Sequence, residues 1–220
     1  MATDNRAARL EEYRETSLLA DSLARSGKNE ETLKLLRECL DKTMAAGDED
    51  YRLFFEAELC GYTTPDLPAQ VALLDRALAW RRSEESQPDY FILRGNGVYY
   101  SNMGNEKEAI ELYDRALAIK PDNCEALRNK GVSLSKLGDM KGAIELYDRA
   151  LAIKPDDCDA LRQKGVSLSI MGDMKGAIEL YDRALAIKPD DCDEVRNKGV
   201  SLSKMGDEKG AIELYDRALA

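Results

Sequence analysis

Residues 142–152 read GAIELYDRALA, the same eleven residues return at 176–186 and 210–220, and EAIELYDRALA stands at 108–118. The spacing is 34 residues each time, and a strict repeat of that length fixes an architecture of stacked similar units before any single residue is weighed. Units that begin at Tyr90, Cys124, Cys158 and Cys192 align without a gap. The second and third differ at four of 34 places, and the fourth runs for 29 residues to Ala220.

Outward from the repeated segment, each unit reads as two helices. Leu127, Val132, Leu134 and Leu137 keep helical spacing until Gly138, which suits a left-handed C-terminal cap. Asp139 can cap a second helix carrying Ala143, Ile144, Leu146, Tyr147, Ala150, Leu151 and Ile153, which Pro155 ends. Asp156 or Asp157 can cap the next unit's first helix. Small residues at Gly131, Ala143 and Ala150 allow two helix backbones to approach closely. The fold class is therefore all-α, built of antiparallel helix pairs.

Gly131, Leu134, Gly138, Ala143, Tyr147, Ala150 and Pro155 match, place for place, the signature of the tetratricopeptide repeat family. Gly97, Tyr100, Gly104, Ala109, Tyr113, Ala116 and Pro121 repeat the match one unit earlier. The chain thus resembles that family, and the resemblance implies a right-handed superhelical solenoid. One departure is the family's first aromatic, replaced by Leu93, Leu127, Leu161 and Val195. Lys130, Lys164 and Lys198 also stand where an apolar residue is more usual, with stems expected along the stack and ammonium groups in water.

Four units follow from the alignment, at 90–123, 124–157, 158–191 and 192–220, the last incomplete. Upstream, LLDRALAW at 73–80 echoes the repeat, giving two divergent units at about 13–50 and 51–89 behind an N-terminal helical extension.

Composition narrows the function. The net charge of −10 and the 34% of charged residues oppose attraction to phosphate backbones or anionic lipid. Nucleic acid and membrane are not expected partners. There is no histidine, so histidine bases, triads and histidine metal sites are impossible within the chain. No catalytic residue, metal or cofactor is expected. The amino terminus has no apolar run long enough for a leader or a membrane span, so the expected location is cytoplasmic. The five cysteines read as reduced thiols.

The resemblance implies that the first helices of successive units line a concave groove. Counted from the start of a unit, place five holds Arg94, Arg128, Arg162 and Arg196, and place six holds Asn129, Gln163 and Asn197. Place nine holds Val98, Val132, Val166 and Val200, and place twelve Ser101, Ser135, Ser169 and Ser203. Guanidinium forks, amides and shallow apolar contact suit an extended, partly apolar peptide with acidic residues. A second reading is that Glu125, Asp159 and Asp193, three residues before their arginines, take up those charges within one helix. Some family members hold a chaperone's C-terminal carboxylate with asparagine at place nine and lysine at place two. Valine and mostly acid stand there in this chain, so that specificity is not expected.

The divergent region offers Phe55, Leu59 and Tyr62, then Phe91 beside Arg94 and Val98, and also holds Trp80. Exposed aromatics beside arginine make binding hot spots; the alternative is that they fill irregular junctions. Ile170, where neighbouring units have Lys136 and Lys204, is either a groove contact or drift.

The function implied is a non-catalytic scaffold binding a peptide or partner helix in the groove. The alternatives are end-to-end self-association through the uncapped last unit, or the N-terminal repeat module of a longer signalling or regulatory protein whose effector domain lies beyond residue 220.

Overall fold

The computed structural model describes residues 2–63, 67–83 and 90–219, all but their turns helical. Trp80 lies in a described helix, but its side chain is outside what is described. The helices are α1 (Ala2–Arg25), α2 (Asn29–Ala46), α3 (Glu49–Thr63), α4 (Leu67–Ser83), α5 (Tyr90–Asn102) and α6 (Glu106–Ile119). They continue with α7 (Cys124–Lys136), α8 (Met140–Ile153), α9 (Cys158–Ile170), α10 (Met174–Ile187), α11 (Cys192–Lys204) and α12 (Glu208–Leu219). No strand occurs among the described residues, and none of their helices is long and apolar enough to cross a membrane.

The chain divides into two compact units, Met1–Asn105 and Glu106–Ala220. In unit 2 each helix packs on the next from α6 to α12, and α7, α9 and α11 also touch in sequence. Its core collects Leu127, Leu146, Ala150, Leu151, Ala160, Leu161, Leu180 and Ala184. Around them sit the fully buried rings of Tyr113, Tyr147 and Tyr181.

The local signals explain the turns. Gly138 and Gly172 follow α7 and α9 with φ of +89° and +93°, the left-handed conformation that glycine adopts without a Cβ clash. The Asp139 carboxylate then accepts from the Gly142 N–H at 2.9 Å, and Asp173 from Gly176 at 3.0 Å. An added Cβ on Gly142 would lie 2.4 Å from Asp139 Oδ2, so glycine seats this capping carboxylate closely against the first turn. Asn123 and Asp157 cap α7 and α9 by accepting from the N–H groups of Ala126 and Ala160.

Unit 1 is held by aromatic rings. Tyr13 lies 5.2 Å from Tyr51 between ring centroids, Phe54 lies 5.4 Å from Phe55, and Phe54 5.4 Å from Phe91. At the turn before α3, buried Asp48 accepts from Tyr13 Oη at 3.1 Å and from Arg9 Nε at 3.0 Å, tying α1 down.

Candidate functional site

The arginine ladder of unit 2 is largely engaged by its own chain. Arg128 on α7 donates to both Asp157 carboxylate oxygens, at 3.0 and 3.1 Å, and lies 3.3 Å from Asp159. Arg162 pairs with Asp159 at 2.9 Å on its own helix and with Glu194 of α11 at 3.3 Å. Arg196 pairs with Asp193, three residues back, and both side chains stay more than half exposed. That last pair is worth little, whereas the Arg128–Asp157 pair is largely shielded from water. Arg128 and Arg162 therefore meet the start of the next unit's first helix and act as clasps between units.

The same geometry accounts for Phe55 and Phe91. The sequence places both in the groove, yet Phe55 is fully buried and Phe91 is 3% exposed. Phe55 sits at place five and Phe91 at place two, the two places that face neighbouring first helices, and the Tyr13 ring on α1 meets Phe55 edge-on at 6.1 Å. They belong to the core of unit 1.

Lys130, Lys164 and Lys198 show a second regular connection. Each Nζ donates to an aspartate sixteen residues back, at 2.5 Å to Asp114, 2.6 Å to Asp148 and 2.6 Å to Asp182. The ammonium groups thus sit at the exposed surface, each against a carboxylate of the preceding Tyr-Asp-Arg segment.

What stays open on the first helices of unit 2 is the amide row. Asn129, Gln163 and Asn197 are half-buried, and their side chains have no hydrogen-bond partner among the described residues. Val132 and Val166 beside them are half-buried, and Val200 is exposed. Ile170 is 59% exposed at the end of α9. Of the place-twelve serines, Ser135 and Ser169 turn their hydroxyls to Met140 and Met174 Sδ, at 3.3 and 3.4 Å, and Ser203 donates to Glu208.

In unit 1 a cavity of about 390 Å³ opens between α1, α3, α4 and α5. It brings together Tyr62, Arg94 and Val98 of the expected set; Leu59 is half-buried and outside its lining. The Arg94 guanidinium lies 4.6 Å from the Phe91 ring centroid, a cation–π stack. Two carboxylates that the sequence reading passed over, Asp21 and Glu58, also line the wall. Tyr99 Oη donates to Glu58 Oε1 at 3.0 Å. Burial, then the like charge of Asp21, pushes the Glu58 carboxyl up to about 7. A signal for Glu58 was present: counted from Tyr51, it stands at place eight, where Gly97, Gly131, Gly165 and Gly199 stand later.

Tetratricopeptide repeat models match residues 95–157 and 159–191. No curated protein matches. Among solved structures, MamA from Desulfovibrio magneticus RS-1, from residue 41 to its end, aligns with TM-score 0.68 and 21% identity. That alignment covers 78% of this chain and 94% of that one. A second MamA crystal structure gives TM-score 0.64 at 22% identity, covering 73% of this chain and 91% of that one. YrrB, described as a TPR protein with an unusual peptide-binding site, gives 0.60 at 24% identity, covering 82% and 90% respectively. At such identities the likeness is one of fold, and it agrees with the glycine caps and the matched repeat models. Residues 95–157 and 159–191 are thus tetratricopeptide repeats, and the chain shares the fold of proteins built from them.

Proposed function

We propose that the protein is a non-catalytic interaction scaffold that binds an extended peptide segment of a partner protein along α7, α9 and α11. The observation that carries this reading is the row of Asn129, Gln163 and Asn197, equivalent side chains on successive helices without hydrogen-bond partners among the described residues. A side-chain amide both donates and accepts, so it can pair with a peptide N–H and C=O together. Packed helices stand about 10 Å apart, and an extended chain advances about 3.3 Å per residue. Successive amides would then meet the ligand backbone at every third residue. The valines beside them supply apolar contact. Acidic ligand residues would have to compete with Asp157, Asp159 and Glu194 for the arginines, so acidity is a secondary preference.

The peptide-binding site reported for YrrB, a protein of the same fold, supports the reading. A cytoplasmic location is part of the proposal, supported by five cysteines that form no disulfide among the described residues.

The test begins with a ligand selected from a random peptide display library on the full chain. The triple variant Asn129→Ala/Gln163→Ala/Asn197→Ala should weaken binding by at least about ten-fold, each amide supplying a modest net hydrogen bond. Unchanged affinity in a normally folded triple variant would overturn the proposal.

A further inference from the structure

The cavity of unit 1 holds a second site, separate from the amide row. Its wall contains two polar side chains that are more than nine-tenths buried, Ser17 at 2% and Gln70 at 5% exposure. Both line the cavity. Polar groups around an enclosed space in folded proteins are paired, by the protein or by what fills that space. A hydroxyl, an amide and the carboxylates of Asp21 and Glu58 around one space therefore describe a site shaped for an occupant. The volume of about 390 Å³ falls in the range of ligand pockets.

The chemistry of the wall selects the occupant. Asp21 and Glu58 contribute two carboxylates, against one guanidinium, Arg94, which lies over the Phe91 ring. Ser17 Oγ and the Gln70 amide oxygen add neutral acceptors. The Phe54, Tyr62 and Tyr99 rings supply aromatic surface. An ammonium group has three donors and no acceptor, is attracted to aromatic faces, and on an alkyl stem would fill the apolar part of the space.

We infer that this cavity binds a primary alkylammonium group, the side chain of a lysine presented by a partner protein. The charged groups that face the site are Asp21 from α1, Glu58 from α3 and Arg94 from α5, with the phenols of Tyr62 and Tyr99; Gln70 from α4 is neutral. The Glu58 carboxyl titrates near 7, while an alkylammonium stays charged to about pH 10. Occupancy should therefore rise as the pH passes upward through neutrality and Glu58 ionises.

The experiment is a titration of the isotope-labelled full chain, followed by NMR at about pH 6 and about pH 8, with three probes. These are N-acetyl-lysine amide, 1,5-diaminopentane, and N-acetyl-norleucine amide as the neutral isostere. Both ammonium probes should shift the Tyr62 and Tyr99 ring signals saturably, with affinity about ten-fold higher at the upper pH, the change in the ionised fraction of a group titrating near 7. Glu58→Gln, which keeps the acceptor for Tyr99, should flatten that dependence. Tighter binding of the lysine amide supports a protein side chain, and tighter binding of the diamine supports the same site serving a free amine. Equal saturation by the norleucine amide, or wild-type affinity that does not change with pH, would overturn the assignment, and the second readout needs no variant to fold. Peptide binding at the amide row is expected to survive Glu58→Gln, so failure here and failure there are separate results.

Discussion

Glu194 is a carboxylate at a place that the two preceding units give to alanine. Ala126 and Ala160 are fully buried there, and Glu194 is 1% exposed. Burial is the main force on it, followed by its hydrogen bond to Asp191 and that neighbour's charge, and together they push its carboxyl up to about 7 despite Arg162. An unfolded glutamate titrates near 4.3, so between these values the folded chain holds a proton that the unfolded chain has released. Folding stability from this group is full at acid pH and declines as pH rises through 7. Glu194→Gln keeps a donor for Asp191 without the charge. Its melting temperature should exceed the wild type's by more at pH 8 than at pH 5, and an equal gap at both would refute the account. The sequence offered this residue as one charge among many on a helix, because burial depends on the neighbouring α9 and not on the local pattern.

At the scale of the helix, approach distance is set by glycine meeting tyrosine. A Cβ added to Gly165 would lie 2.6 Å from the Tyr181 ring, itself 1% exposed. Gly165→Ala should therefore destabilise the chain by about 1–3 kcal/mol, the usual effect of overpacking, measured by urea unfolding. Adding Tyr181→Leu should recover part of that loss relative to the sum of the two single changes. The left-handed Gly138 and the Asp139 cap were legible in the sequence because each depends on neighbours a few residues away, and the small residues pointed to close helix approach without naming the tyrosine that glycine meets. The burial of Phe55 and the cavity at Glu58 were not. They depend on α1, which opens a divergent unit, and on the direction in which place five points once a neighbouring helix is present. The lysine pairs to Asp114, Asp148 and Asp182 were hidden for the same reason, since they join residues of different units.

Across unit 2, stability should behave as a sum of helix-pair terms and nearest-neighbour junctions. Each junction reuses the same connections: arginine to the next unit's first turn, lysine to the previous unit's aspartate, and leucines between them. Inserting a second copy of residues 158–191 after Asp191 adds one pair and one junction of a kind already present. The insertion should raise both the mean helical signal and the urea midpoint of this unit. A lowered midpoint, measured by circular dichroism during denaturation, would show that the junctions are not interchangeable.

The helices α8 and α10 have one and the same sequence, MKGAIELYDRALAI. During folding, α11 therefore meets two equivalent docking partners, Asp148 on one and Asp182 on the other, each able to receive Lys198. Docking on α8 strands α9 and α10 as a loop, and docking on another chain's α10 exchanges units between molecules. Refolding at high concentration should pass through such misregistered species, because the regularity that makes every junction sound also removes the means of telling one from the next.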